Sequence, residues 1–270
     1  MSIAPSIGPV TLDSGRPTVW DRVVCGIDGT AVSLETAREV AQLMPCPARL
    51  TLCAVVDPAT SRHNGVVQRA LTAVAEAALA RAMASIAPCE AELEVREGAP
   101  IRALLDEVIG RRALLVAVGS CARSRATGFA LGSVARAMLR DAPCSVLIVH
   151  GAGRADRAAS GDAIVAVDGS DSAPRALAAG QELVERLSLT LRVVVSGDGD
   201  RASSGWWQEH VAPEHVLHEG PRPALEALVA ASATARLLIL GGQHRPAAPA
   251  LADPTERVVR RAGCPVLIVQ

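Results

Sequence analysis

The sequence predicts an α/β protein: two tandem open, mostly parallel five-stranded sheets, each flanked by helices, the second domain shortened. Three observations carry this. Short, near-continuous apolar runs such as Leu114–Val118 and Ser145–Val149 alternate with amphipathic stretches, and strands apolar on both faces belong to parallel sheets covered by helices. The pattern also occurs twice in the same order. RVVCGIDGT from Arg22 matches AIVAVDGSD from Ala163, Glu97–Ser120 matches Glu219–Gly242, and SVLIV ending at Val149 matches PVLIV ending at Val269, which marks an internal duplication. Finally, 270 residues at 50% hydrophobic content give room for about two domains with a real core. With no Tyr, one Phe and three Trp, that core must be built from Ala, Val and Leu, which favours tight helix-on-sheet packing.

Taken in order, residues 1–20 lack an apolar period and read as a flexible tail. The first domain, 21–150, opens with a strand at Val23–Ile27 and a helix at Ser33–Leu43. A strand at Leu50–Val56 and a long helix at Val66–Ile86 follow, then a strand at Glu92–Arg96 and a helix at Ile101–Ile109. It closes with a strand at Leu114–Val118, a helix at Ser133–Leu139 and a strand at Ser145–Val149. The Gly/Ala/Arg-rich stretch 151–162 reads as a linker, and 163–270 as the second domain. There Ser196–His215 is too broken by Gly and Pro for a long helix, so the domain is expected to have lost most of its second helix. Trp206 and Trp207 then cover the sheet left bare, or stack on a ligand.

Composition removes several functions. A net charge of −1 with no block of Lys or Arg argues against nucleic-acid binding. No apolar run approaches the ~18 residues of a membrane span, and the first twenty residues lack the regions of a secretion signal. Seven scattered Cys with no CxxC pair fit reduced thiols and a cytoplasmic location. No HExxH, zinc spacing or GxSxG is present, and His210, His215 and His218 are expected as solvated loop histidines rather than a metal site.

In an open parallel sheet, ligands bind where loops leave the carboxyl ends of the strands. Gly26-Ile27-Asp28-Gly29-Thr30 leaves the first strand; Asp28 suits ribose hydroxyls, or a turn that starts a helix, and Gly26 allows close backbone approach. The loop Gly119–Ser133 ends in Gly132-Ser133 at a helix start, an arrangement that offers amides, a hydroxyl and a positive dipole end to an anion. Arg123 and Arg125 add charge, and Cys121 sits in a place that could lower its pKa and make it redox-sensitive. A solvated loop whose Ser133 caps the helix is the alternative. Val55, ending the second strand, could offer backbone groups to a flat base.

Those residues resemble a tandem universal stress protein, of the Rossmann-like type, over nearly all of Arg22–Gln270. The resemblance implies ATP bound through an Asp after strand one, a Val ending strand two and a loop G-x2-G-x9-G-(S/T). Here these fall on Asp28, Val55 and Gly119, Ala122, Gly132-Ser133, with Ala122 replacing the second Gly. Anchored at Gly119 and Gly242, the second loop is three residues shorter, carries Pro246, Pro249 and Pro254, and has Ala252-Asp253 where Gly132-Ser133 would fall. Asp168 survives, but the second site is expected to be degenerate.

The resemblance thus implies a stress-response regulator that binds ATP, with or without Mg, or a related adenine nucleotide through Gly26, Asp28, Val55, Gly119, Ala122, Arg123, Gly132 and Ser133 of the first domain. A scaffold of the same fold without nucleotide is the alternative, supported by Ala122. Slow ATP hydrolysis is a third, weakened by the lack of a carboxylate pair beyond Asp28. Protein partners are expected but not named by the sequence. The last strands of both copies are apolar edges that need covering. Because single-domain relatives commonly dimerise through that strand, Ser145–Val149 is expected to pair antiparallel with Pro265–Val269 in an internal pseudo-dimer, with a homodimer of the whole chain a further option.

Overall fold

The computed structural model describes residues 18–44, 48–61, 64–120, 131–151, 161–167, 170–196, 206–220, 224–242 and 254–270. The chain divides into two compact units, one formed chiefly by residues 18–156 and the other chiefly by 157–270.

The first unit runs β1 (Arg22–Gly26), α1 (Ala31–Leu43), β2 (Arg49–Val56), α2 (Pro58–Ser61), α3 (Gly65–Ser85), β3 (Glu92–Glu97), α4 (Pro100–Gly110), β4 (Leu115–Gly119), α5 (Ser133–Asp141) and β5 (Ser145–Val149). Its strands lie in the order β3-β2-β1-β4-β5, every neighbouring pair parallel. The order reverses between β1 and β4, the switch point where such sheets open a crevice. Buried Val23, Val24, Cys25, Leu52, Leu115, Val116, Leu147 and Ile148 form the sheet's share of the core, and Trp20, Leu43, Leu79 and Met138 are fully buried as well.

Local chemistry sets the helix starts. Thr30 caps α1 by accepting from the Ser33 amide, and Asn64 caps α3 by accepting from the amides of Val66 and Val67. Pro100 opens α4 one residue ahead of the expected Ile101, because proline fits the first turn, where its missing N–H leaves no bond unmade. The short α2 adds a turn of helix where the sequence pattern predicts none; Asp57 nucleates it by accepting from the Ala59 amide at 2.9 Å. The edge strand β3 is only half covered and bears Glu92, Glu94, Arg96 and Glu97, charges that discourage strand addition from outside.

The second unit runs β6 (Asp162–Val167), α6 (Ala173–Leu187), β7 (Thr190–Ser196), β8 (Val216–Gly220), α7 (Ala224–Ser232), β9 (Leu237–Gly241), α8 (Pro254–Arg261) and β10 (Val266–Val269). The order β8-β7-β6-β9-β10, all parallel, repeats that of the first unit strand for strand. Between β7 and β8 the described residues form two 3-10 turns, Trp206–Glu209 and Pro213–His215, and none of them is α-helical. Trp207 is buried there at 3% exposure, so it packs rather than presenting a ring to a ligand. His215, expected as a solvated loop residue, is buried too, because its turn packs on β7.

The paired hydrogen-bond registers correct one detail of the repeat. Ser120 N donates to Val149 O, and Gly242 N donates to Val269 O, so Gly119 corresponds to Gly241 and not to Gly242. A Cβ on Gly119 would meet Val32 of α1, and one on Gly241 would meet Ser172, the α6 cap, the same contact in each unit. The gapless match of Glu97–Ser120 with Glu219–Gly242 implies the same pairing, against the anchor at Gly242. The second loop is therefore two residues shorter than the first, not three.

Candidate functional site

Asp28 follows β1 at the switch point and is exposed. Its Oδ1 accepts from the Thr30 amide at 2.9 Å and from the Thr30 hydroxyl at 2.6 Å, while its own amide donates to Ser33 Oγ at 3.3 Å. Burial pushes the carboxyl up, but the bonds from Thr30 and Ser33 outweigh it and hold the group below the ordinary aspartate value. A fixed negative charge thus stands at the mouth of the crevice. The turn depends on Gly29, whose φ of +79° lies in the left-handed region that a side chain disfavours. Arg81 of α3 reaches the same turn and donates to Gly29 O at 3.4 Å, a contribution across 52 residues that the local sequence does not announce.

Gly26 has a packing task of its own. Its bare Cα faces inward, where a Cβ would lie 3.3 Å from Val118 and 3.4 Å from Leu104, so its smallness seats α4 on the sheet. Gly119 lets α1 descend onto the sheet: a Cβ there would stand 2.7 Å from Val32 Cγ1. A Cβ on Gly151, which the sequence placed in the linker, would stand 2.5 Å from the other methyl of the same valine. The amino end of α1, with its Thr30 cap, is thereby held against the ends of β4 and β5.

Val55 is half-buried in β2. Cys53 O accepts from Ile27 N on the β1 side, and Val56 O accepts from Gly98 N on the β3 side. Main-chain groups alternate sides along a strand, so the N–H and C=O of Val55 face the β1 side, beyond the last bond made by Ile27. The edge of a flat, hydrogen-bonding ring fits such groups.

Gly132 is the cap of α5, in extended backbone, and makes no side-chain cap bond. Ser133 is therefore the first helical residue and exposed, and it does not cap the helix. Among the described residues no side chain caps the first-turn amides of α5, which is the condition for an anion at a helix start. Since a helix that follows a parallel strand runs back beneath it, this start lies at the carboxyl end of β4, the same end as Asp28 and Val55. The root of the intervening loop is pinned, with buried Ser120 Oγ 3.2 Å from His150 Nδ1. Cys121, Ala122, Arg123, Arg125, Asp168 and the second loop, 243–253, lie outside the described residues.

Beneath the first unit's sheet lies a charged cluster the sequence does not single out. Glu107 of α4, its side chain fully buried, accepts from Arg96 Nε at 2.6 Å and from Arg111 Nε. Arg111 continues to Glu92 and Glu94. Burial pushes Glu107 up, but the two guanidinium groups pull it below the ordinary glutamate value. Nearby, burial first and the Glu107 charge second push the Cys53 thiol up to about 12, and Cys144 is likewise raised by burial to about 12. These thiols are inert packing groups. Among the described residues no group of three or more His, Cys, Asp or Glu is placed to hold a metal, and no helix is long and apolar enough to cross a membrane.

Residues 20–150 match the model of the Universal stress protein family. No match is found among curated proteins. Of solved structures, a universal stress protein from Archaeoglobus fulgidus DSM 4304 is similar over 93% of this chain and 98% of its own, with a TM-score of 0.75 and 21% identity. A protein from Pseudomonas aeruginosa UCBPP-PA14 described as of the same family is similar over 92% of each chain, with a TM-score of 0.65 and 17% identity. The cytoplasmic domain of a prokaryotic cation chloride cotransporter is similar over 92% of this chain and 94% of its own, at a TM-score of 0.51 and 12% identity. At these identities the likeness shows the fold.

Proposed function

We propose that the chain is a two-domain universal stress protein whose first unit binds ATP, or a related adenine nucleotide, and that occupancy regulates its binding of a protein partner during stress. The observation that carries this is the convergence, at the carboxyl ends of β2, β1 and β4, of three complementary features. Val55 presents main-chain groups for a base, Asp28 a fixed carboxylate for ribose hydroxyls, and Gly132-Ser133 an uncapped helix start for phosphate. Ala122 stands where the family motif has its second Gly, and Arg123 follows it in the sequence. The family match over residues 20–150 supports the reading. The repeated strand order and the equivalent Gly119 and Gly241 packing support a second domain of the same descent. A cytoplasmic location is part of the proposal, as is antiparallel pairing of Ser145–Val149 with Pro265–Val269. Fragments that separate after cleavage in the 151–162 linker would overturn that pairing.

Titration calorimetry of the purified chain with ATP, AMP and cyclic AMP, with and without Mg, tests the nucleotide. One site per chain is expected. Two equivalent sites would refute the degenerate second loop. No binding of any of the three would favour the scaffold without nucleotide, for which Ala122 is the specific support. Product formation above background would add slow hydrolysis.

A further inference from the structure

The outer face of α3 breaks the usual pattern of a surface helix. Such a helix is apolar toward its core and polar toward water. α3 buries Ala78, Leu79 and Ala82, yet the opposite face carries Val66 and then alanines at 70, 73, 77, 80 and 84, all exposed. The spacing is 4, 3, 4, 3, 4, the a/d repeat of a helix seam, turned away from the sheet it belongs to. Val66 and Val74 are 67% and 66% exposed, and Val67 38%.

We propose that this face is where a second copy of the chain docks, α3 against α3 in antiparallel two-fold packing. The flanks decide the occupant. On one side of the seam stand Arg69 and Glu76, seven residues apart, both exposed; among the described residues neither forms an ion pair. On the other side stand Val67 and Val74. When Ala70 stacks on Ala73 of the other copy, the two-fold axis sets Arg69 opposite the second copy's Glu76, and Glu76 opposite its Arg69. The same register sets Val67 opposite Val74 on the other flank, and Val66 on Ala77 in the seam. Opposite charges meet opposite charges and valine meets valine in a single register, the self-complementarity an isologous interface requires. The alanines permit close approach of the helix axes. The seam is short, well under the roughly 1,200 Å² of a standard interface, so the association is weak.

Sedimentation equilibrium of the full chain up to about 0.5 mM, where a complex with a dissociation constant of about 0.1 mM is mostly formed, reads the outcome. The average mass is expected to rise from 27.8 kDa toward twice that value. Ala73→Arg, at an exposed position, is expected to hold it at one chain with an unchanged melting curve. Arg69→Glu and Glu76→Arg alone each set like charges opposite one another and are expected to weaken association by roughly fivefold or more. Together they restore the pairs and return it to within about twofold of the parent. A parent that stays at one chain throughout overturns the proposal, as does a dimer that survives Ala73→Arg. A double variant no better than the single ones overturns the antiparallel register.

Discussion

Replacing Gly132 with Asp should move stability and nucleotide binding in opposite directions. Gly132 caps α5 in an extended conformation, φ −64° and ψ 162°, open to any residue, and aspartate is among the best residues at that position. Its carboxylate can accept from the amides of the first turn, worth a few tenths of a kcal/mol over glycine, with about 0.3–1 kcal/mol more from the positive end of the helix. The fold is therefore expected to gain about 0.5–1 kcal/mol. Those same amides are the proposed phosphate donors, so the new charge competes for them; two unit charges about 5 Å apart repel by about 3 kcal/mol at an effective dielectric of 20 and about 1 kcal/mol in bulk water. The dissociation constant for ATP should rise at least about tenfold, which corresponds to about 1.4 kcal/mol. Calorimetry with ATP and urea unfolding of the same preparation read the two effects. Unchanged ATP affinity in a folded variant would show that the phosphate does not sit at α5. A clear loss of stability would show that the cap geometry is wrong.

Two further changes test the core. Glu107→Gln keeps the shape but removes the buried charge between Arg96 and Arg111; because both arginines remain partly exposed, the cost is expected at about 1–3 kcal/mol, below that of a fully buried pair. The native state holds this carboxyl below its unfolded value, so the stability it adds is complete above about pH 4.5 and drains away as pH falls through the lowered native pKa. Urea midpoints of parent and variant should differ at pH 7 and converge in acid, and a constant difference down to pH 3 would contradict this. Gly180→Ala would normally strengthen a helix by about 1 kcal/mol, but its Cβ would stand 2.6 Å from Val165 and 3.2 Å from Leu191. A net loss of about 1–2 kcal/mol is expected, seen as a melting temperature lower by several degrees, and a higher one would refute the close packing of α6 on β6.

By itself the amino-acid order determined the alternation of parallel strands and helices, the doubling of the pattern, and the bounds of most elements in the first unit to within a residue or two. Those features are written in local periodicity: Leu114–Val118 is apolar on both faces wherever it lies, and Asp-Gly-Thr makes a turn from its own side chains. Tertiary structure decided what depends on residues far apart in sequence. Bonds between strands choose, of the two pairings the repeat blocks offer, the one that equates Gly119 with Gly241. Arg81 at the Asp28 turn, Gly151 beneath Val32, and Gly26 under Leu104 are contacts across tens of residues. The charge on buried Glu107 is tolerable because Arg96, from another element, joins Arg111 in pairing it. The outer face of α3 shows the same division most plainly. Its alanine and valine spacing is visible in the sequence, but only the packing of Ala78, Leu79 and Ala82 on the sheet side reveals which of two apolar faces the fold leaves open.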